Sequence, residues 1–271
     1  MRKNERGDCL RVAEIMSKNF PFIREDELVT KARAMLRSHR TRILPVVNYD
    51  KRLLGIIYRR NIMAITSSVS AIRVKGLMEN PRLVAVLDED GYSVAKRMVK
   101  LDEWYAPVVE TKENKLYKGV LGLENFIAHF LKTGSSKLSE TLESIMSSEI
   151  VTCSPDDEVD NVWRLMQRRA FAGLPVVKKD KLVGMVTQKD FLDSGAVMPT
   201  FESKKGRYKS PPKISAIMKT SVISLKPSAT IRKAAEIMLN KNIGRLPITD
   251  EKNRLVGIVD REDIVRAFLY V

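Results

Sequence analysis

The sequence has 271 residues, 44% of them apolar and 30% charged, and it carries a net charge of +15. This balance is typical of a folded globular protein and excludes a chain that is mainly disordered. Because the basic excess is spread over both halves of the chain, a single basic arm for nucleic acid is not favoured.

The two cysteines, Cys9 and Cys153, form neither a CxxC pair nor a metal-ligand spacing. This usage excludes a scaffold built on disulfides and suits a reducing compartment. The charged N-terminus is not followed by the apolar stretch of a signal peptide, and no apolar run reaches the roughly 18 residues of a membrane span. We therefore expect a cytoplasmic protein with no metal site and no membrane segment.

Four methionines along the chain are each followed, 29 residues later, by a proline that precedes a short strand-like run. A glycine stands 9–12 residues after each proline, and an Asn or Asp stands six residues after each glycine. Self-similarity of this kind is the signature of repeated structural units. The four sets are Met16, Pro45, Gly55 and Asn61; Met78, Pro107, Gly119 and Asn125; Met146, Pro175, Gly184 and Asp190; and Met218, Pro247, Gly257 and Asp263.

The third copy predicts the order of elements within the unit. "IVTC" (150–153) predicts a short strand, after which Ser154 and Pro155 are typical of an N-cap and the first position of a helix. "GLPVVKK" and "KLVGMVT" predict two strands joined by a turn, and "QKDFL" predicts the start of a second helix. The apolar face of the first helix is expected at Val159, Val162, Trp163 and Met166, and in the fourth copy at Ile231, Ala234, Ala235 and Met238.

The predicted unit is therefore β-α-β-β-α. Its copies are expected at 10–64, 72–130, 139–194 and 212–271, with linkers near 64–73, 132–140 and 194–212. A single unit of this size has too little core to be stable alone, so the copies should pack in pairs.

The methionine–proline spacing, closed by the stretch "GMVTQKD" (184–190), resembles the CBS domain, whose copies pair into Bateman modules. Four copies over nearly the whole chain, without a catalytic domain, resemble the gamma subunit of AMP-activated protein kinase and archaeal four-repeat relatives. The resemblance implies an α/β fold in which two modules face each other in a flat disc. It also implies that AMP, ADP or ATP binds in clefts shared by paired repeats.

In such a cleft, the resemblance implies that one repeat contacts the ribose and phosphate and its partner repeat contacts the base. An Asp at a helix start can accept hydrogen bonds from ribose hydroxyls, and a Thr three residues earlier lies where helix N–H groups attract an anion. The first implied cleft joins Thr187 and Asp190 of repeat three to a slot of repeat four, in which Arg245 would contact the phosphate. That slot comprises Val222, Ile223, Gly244 and Arg245.

The second implied cleft is built on Asp263 of repeat four, with Asp260 in place of the Thr. A carboxylate beside a phosphate is unfavourable unless a cation intervenes. We therefore expect this cleft to prefer a neutral nucleoside or to stay empty. Its base slot in repeat three comprises Ile150, Val151, Ala172 and Gly173.

The N-terminal module departs further from the pattern. Repeat one has Tyr58 and Asn61 at the Thr and Asp positions, and repeat two has Gly122 and Asn125. Asparagine can bond a ribose but brings no charge, so these clefts are weaker candidates. The opposing slots comprise Leu83, Trp104 and Tyr105 for repeat one, and Arg42 with "NFPFI" (19–23), where Pro21 disfavours a strand, for repeat two.

The leading hypothesis is a regulator that senses adenine nucleotides, needs no obligatory cofactor, and signals to an unidentified protein partner as a monomeric disc or a homodimer. The alternatives are a basic CBS protein associated with nucleic acid, a binder of adenosine or S-adenosylmethionine, and a structural adaptor whose clefts have decayed. An enzyme is least favoured, because the sequence shows no nucleophile–base pair, metal cluster or Walker-type loop. A simpler interpretation of the motif Asp residues is that they cap helices.

Overall fold

The structure, a computed structural model, describes residues 10–63, 70–194 and 211–270. Cys9 and most of the predicted linkers 64–73 and 194–212 lie outside these ranges. Within them, no helix is both long enough and apolar enough to cross a membrane.

The same order of elements recurs in each quarter of the chain. Repeat one contains α1 (Val12–Ile15), β1 (Ile23–Arg24), α2 (Val29–Ser38), β2 (Ile43–Val47), β3 (Leu53–Tyr58) and α3 (Arg59–Met63). Repeat two contains β4 (Ala85–Val86), α4 (Gly91–Lys100), β5 (Tyr105–Val109), β6 (Tyr117–Gly122) and α5 (Leu123–Thr133). Repeat three contains α6 (Val159–Arg168), β7 (Gly173–Lys178), β8 (Lys181–Thr187) and α7 (Gln188–Ser194). Repeat four contains α8 (Ile231–Asn240), β9 (Arg245–Thr249), β10 (Leu255–Asp260) and α9 (Arg261–Leu269).

Each repeat is built on an antiparallel hairpin: β2 with β3, β5 with β6, β7 with β8, and β9 with β10. In repeats one and two, a short first strand pairs in parallel with the hairpin. In repeats three and four, this strand is reduced to the single parallel bridges Cys153–Val176 and Leu225–Ile248. The strand predicted for 150–153 is therefore wrong in extent, because the chain turns directly after Cys153.

The start of α6 differs from the prediction, whereas its apolar face is confirmed. The helix begins at Val159 with Glu158 as N-cap. Ser154 lies in a preceding turn, where its backbone N–H donates to the Asp157 carboxylate at 2.8 Å. That local hydrogen bond closes a turn and delays the helix, so the N-cap prediction for Ser154 is wrong. The expected apolar faces are buried at Val159, Val162, Trp163 and Met166 and at Ile231, Ala234, Ala235 and Met238.

The repeated methionines and glycines contact one another across each pair of repeats. A Cβ atom added at any of the four glycines would lie within 3.0 Å of a methionine side-chain atom of the partner repeat. Backbone bridges from the residue after each methionine to the partner hairpin reinforce these contacts. The glycine–methionine contacts are Gly55–Met78, Gly119–Met16, Gly184–Met218 and Gly257–Met146.

The two modules pack against each other through their helices. Repeats two and four share one apolar core, in which Phe130 stacks on Phe268 with ring centres 4.1 Å apart. On the other side, Leu192 of α7 packs against the core of repeat one. The predicted α/β fold of four repeats in two paired modules is thus confirmed.

Candidate functional site

A cavity of about 450 Å³ lies where residues from all four repeats converge. This volume falls in the range of small-molecule sites. Charged side chains of both signs line it, so the cavity suits a ligand with polar and apolar parts. The charged lining residues are Arg42, Arg59, Arg60, Arg82, Arg169, Arg245, Arg266, Asp102, Glu103, Glu149, Asp260, Glu262 and Asp263.

The second implied cleft opens into this cavity. Asp263 lines it together with the expected base slot of repeat three. Val151 in that slot is an exposed apolar side chain, and the slot also offers backbone groups. Apolar side chains with a few polar backbone groups are what a flat heterocyclic base requires. The slot residues on the cavity wall are Ile150, Val151, Ala172 and Gly173.

In the first implied cleft, the motif residues contact one another. The Thr187 hydroxyl donates to Asp190 Oδ2 at 2.6 Å, and the Thr187 backbone N–H donates to the same oxygen at 2.9 Å. Asp190 is 6% exposed, and its Oδ1 lies 4.0 Å from Lys219 Nζ. Thr187, Asp190, Val222, Ile223 and Gly244 lie outside the cavity lining.

Arg245 faces the second cleft rather than the first. Its guanidinium lies 3.5 Å from Asp260 Oδ2 and donates to the Gly173 carbonyl at 3.3 Å. Strands β9 and β10 place the two residues directly opposite each other. The basic group that the sequence assigned to the Thr187 cleft is therefore held beside Asp260 on the cavity wall.

The N-terminal module adds an aromatic and cationic wall to the cavity. The Arg42 guanidinium lies 4.3 Å from the Trp104 ring centre, and that of Arg245 lies 5.5 Å from it. Burial lowers the pKa of Arg42 to about 10. Gly244 lies under this pair, because an added Cβ would collide with Arg42 and lie 2.8 Å from Trp104. The modules are thus in contact at the edge of the predicted repeat-four slot.

The motif Asn and Asp residues lie at the third position of a helix in all four repeats and are not its N-cap, which in repeats two and four is Gly122 and Asp260. Each accepts a hydrogen bond on one side-chain oxygen from the backbone N–H three residues earlier. In Asn61, Asn125 and Asp190, the second side-chain atom faces a side chain of the partner repeat. The bonds join Asn61 to Tyr58 at 2.7 Å, Asn125 to Gly122 at 2.7 Å, Asp190 to Thr187 at 2.9 Å and Asp263 to Asp260 at 2.8 Å.

The sequence analysis did not predict a role for the residue after each repeated methionine, although its fixed place in the repeat could have indicated one. In three of the four clefts it lies beside the motif residue of the partner repeat. Asn61 Nδ2 donates to Glu79 Oε1 at 2.6 Å, and Asn125 Nδ2 donates to Ser17 Oγ at 3.1 Å. Lys219 approaches Asp190, as described above. The fourth such residue, Ser147, lines the cavity.

Internal contacts engage the polar side chains of the repeat-one cleft, although Tyr58, Trp104 and Tyr105 also line the cavity. Arg60 donates to Glu79 at 2.6 Å and lies 3.8 Å from the Tyr58 ring centre. The Tyr58 hydroxyl donates to Glu103 at 3.4 Å. Burial, with the nearby Glu103 carboxylate, raises the pKa of Tyr58 to about 12, so the phenol stays protonated. Two carboxylates thus occupy the surroundings of Asn61, where a nucleotide would bring further negative charge.

The slot opposite repeat two is packed with aromatic rings. Phe20 lies 6.1 Å from Tyr105, and Phe22 lies 5.5 Å from Tyr117 in an edge-on contact. The Tyr117 hydroxyl donates to the Phe20 carbonyl at 3.2 Å. Strand β1 begins only at Ile23, beyond Pro21. The side chains of "NFPFI" therefore fill this region with internal contacts.

Carboxylates crowd the start of α9. Asp260 accepts hydrogen bonds from the backbone N–H groups of Glu262 at 2.9 Å and Asp263 at 3.3 Å. Burial, followed by the charges of Asp102 and Asp260, raises the pKa of Glu262. Burial and the charge of Asp260 likewise raise the pKa of Asp263.

Comparison with known proteins identifies the same repeated unit that the structure shows. The CBS domain model matches residues 12–68, 142–196 and 214–270. The intervening stretch holds repeat two, which departs from the motif at Gly122 and Asn125 and still folds with the same order of elements. Inosine-5'-monophosphate dehydrogenase of Methanocaldococcus jannaschii is 32% identical over 129 residues, which are 47% of this chain and 23% of that enzyme.

Two similar proteins cover the whole architecture. The uncharacterized protein MJ1225 of Methanocaldococcus jannaschii is 26% identical over 257 residues, which are 89% of this chain and 92% of that protein. Its crystal structure covers 96% of this chain and 100% of its own with a TM-score of 0.83 at 24% identity. An uncharacterized conserved protein of Pyrococcus horikoshii covers 96% of this chain and 100% of its own with a TM-score of 0.65 at 23% identity. The chain therefore belongs to the CBS domain family.

Proposed function

We propose that the chain is a non-catalytic regulatory protein that binds adenosine-containing ligands, AMP, ADP or ATP among them, in the module of repeats three and four. One observation carries the proposal. Asp263 and the four residues of its expected base slot line a single cavity, although they come from different repeats. A carboxylate for the ribose hydroxyls and an apolar slot for the base are the groups that a nucleoside requires.

The two clefts would use the same groups in different combinations. Asp190 and Asp263 each have a carboxylate oxygen that the helix cap leaves available for ribose hydroxyls. In the first cleft, Lys219 offers a donor to a phosphate, while the Thr187 hydroxyl donates to Asp190. In the second cleft, Arg245 is paired with Asp260.

The cavity also supplies a route for a signal. A ligand there contacts both modules, because residues of repeats one and two form part of its wall. Binding to one arrangement of the modules more tightly than to another shifts the population between them. A partner protein that recognises the arrangement would then respond to the ligand.

The proposal also gives a stoichiometry. The motif residues Asn61 and Asn125 carry no charge and each is bonded to a side chain of the partner repeat, so we expect ligand binding to be confined to the two clefts of the C-terminal module. We expect at most two nucleosides per chain.

Titration calorimetry and thermal unfolding with AMP, ADP, ATP and adenosine test this function. A ligand that binds only the native state raises the melting temperature. Asp190→Ala and Asp263→Ala should each lose one binding event. Asn125→Ala is the matched control, because it removes the same kind of cap bond without touching the C-terminal module. Equal stabilisation by guanine, pyrimidine and adenine nucleotides would contradict the adenine assignment, and mass spectrometry of retained ligand would identify the compound.

A second candidate function, nucleic-acid association, is favoured by the net charge of +15. Exposed basic residues also gather where the turns of the two C-terminal hairpins meet at the Lys181–Arg254 bridge. Such binding weakens steeply with salt, because it releases counterions. Anisotropy titrations of duplex and single-stranded probes at about 50 and about 200 mM salt distinguish it from nucleoside binding. These basic residues are Lys178, Lys179, Lys181, Lys252 and Arg254.

A further inference from the structure

Asp260 already occupies the position that the motif reserves for a phosphate contact. Its carboxylate lies at the N-terminus of α9 and accepts backbone N–H groups of Glu262 and Asp263. The Arg245 guanidinium lies 3.5 Å from the same side chain. Two helix N–H groups and a guanidinium are the usual partners of a bound phosphate. In this cleft they are engaged by the protein's own carboxylate.

The groups around Asp260 keep it in place. Arg245 is held from a second side by the Gly173 carbonyl. Glu262, one of the neighbouring carboxylates, is paired with Arg266. Asp263, the proposed ribose acceptor, accepts a hydrogen bond from the Asp260 backbone N–H. A ligand phosphate at this point would meet the Asp260 carboxylate and lose the donors that Asp260 has taken.

The first cleft has the same scaffold without the negative charge at this position. In place of Asp260 it carries Thr187, a neutral residue whose hydroxyl donates to Asp190. Lys219 Nζ stands 4.0 Å from Asp190 there. Since α7 and α9 start from equivalent hairpins, the charge at this one position distinguishes the two clefts.

We propose that Asp260 takes the place of a ligand phosphate, so that the Asp263 cleft selects adenosine compounds whose 5′ substituent is uncharged or cationic. This assignment rests on the proposed function and makes the Asp263 cleft respond to adenosine compounds that lack a 5′-phosphate.

Calorimetry in an Asp190→Ala background isolates the Asp263 cleft. In metal-free buffer, adenosine should bind this variant at least about tenfold more tightly than AMP. Adding Asp260→Thr should reverse the preference, and adding Asp260→Asn should weaken it by removing charge while keeping the shape. Thr and Asn both cap helices well, so α9 should remain folded, and circular dichroism checks this.

The outcomes separate this inference from the function it rests on. If the Asp190→Ala protein binds AMP and adenosine equally, the role of Asp260 is wrong while adenosine binding stands. If Asp260→Thr and Asp260→Asn leave a preference for adenosine unchanged, the carboxylate is not its cause and the inference also fails. If no adenosine compound binds the unmodified chain, both the inference and the proposed function fail.

Discussion

Arg261 at the start of α9 donates to Glu124 at the start of α5, with 2.9 Å between Nη1 and Oε2. A second donor of the same guanidinium reaches the Asn242 side chain at 3.2 Å. Arg261 is 3% exposed. The two helices belong to different modules, so this ion pair, which is buried at Arg261 and partly exposed at Glu124, joins repeat four to repeat two.

Removing Glu124 should destabilise the chain. Glu124→Ala leaves the Arg261 charge buried with an amide partner alone, and loss of one partner of a buried pair costs about 3 kcal/mol or more. Urea unfolding measures the change. Asp160→Ala is the control, because the Asp160–Arg164 pair is more than half exposed and should contribute at most about 1 kcal/mol. Equal losses in the two variants would show that the cross-module pair adds nothing special.

The repeat architecture was predictable because the sequence spacing records a physical contact. A methionine and a glycine recur together since each methionine packs on the glycine of its partner repeat, as Met218 does on Gly184. The contents of the clefts were not predictable in the same way. In repeat one, Glu79 bonds to Asn61, which is 18 residues away, and Tyr58 bonds to Glu103, which is 45 residues away, and no local periodicity encodes such contacts. The start of α6 was missed because a side-chain turn at Asp157 competes with the helix.

The pairing of Arg245 with Asp260 could not be predicted from the sequence either. Its place two residues before Pro247 suggested a phosphate contact in the Thr187 cleft. The hairpin register sets it opposite Asp260 instead. A single sequence does not show which of two adjoining clefts a side chain at the pair interface will enter.

Asn61→Asp should destabilise the N-terminal module. Asp would keep the cap bond from the Tyr58 N–H, but it would turn a donor into a negative charge against Glu79. Losing this bond and gaining repulsion should cost about 1–3 kcal/mol in urea unfolding at neutral pH. Asn125→Asp is the matched control, because its partner is the Ser17 hydroxyl, which can donate to a carboxylate. An equal loss at both sites would contradict the contact with Glu79 as the cause.

Glu262→Gln should stabilise the chain in a pH-dependent way. Burial and neighbouring carboxylates raise the pKa of Glu262 in the folded state, so folding favours its protonated form. Its contribution to stability is present below the ordinary carboxyl pKa and is lost as pH rises through the raised folded value. The variant should therefore gain melting temperature over the parent at about pH 8 relative to about pH 5. Glu251→Gln, at an exposed site, should show no such trend, and a flat difference for Glu262→Gln would refute the raised pKa.

Thr187→Val should weaken both ligands of the first cleft. The hydroxyl donates to Asp190 Oδ2 and holds the proposed ribose acceptor, so the affinities for AMP and for adenosine should each fall by about tenfold. Thr187→Ser keeps the hydroxyl and should bind both ligands like the parent. Calorimetry in an Asp263→Ala background confines the measurement to this cleft. A loss of AMP affinity alone would show that the hydroxyl contacts the phosphate instead.

Gly119→Ala should destabilise the chain more than Gly55→Ala, although the two glycines hold equivalent places. Gly119 has φ of +150°, a conformation that side chains disfavour, and an added Cβ would collide with the Ser17 carbonyl. At Gly55 the added Cβ would lie 3.0 Å from the Glu79 carbonyl and the Met78 sulfur, a contact that a small shift relieves. Both variants should suffer from crowding, and only Gly119→Ala should add a backbone strain of about 1–3 kcal/mol. Gly76→Ala, whose Cβ would meet its nearest neighbour at 3.6 Å, serves as the reference in the same urea titrations. Equal destabilisation at Gly119 and Gly55 would mean that both repeats relax in the same way and that the strained backbone at Gly119 carries no energy.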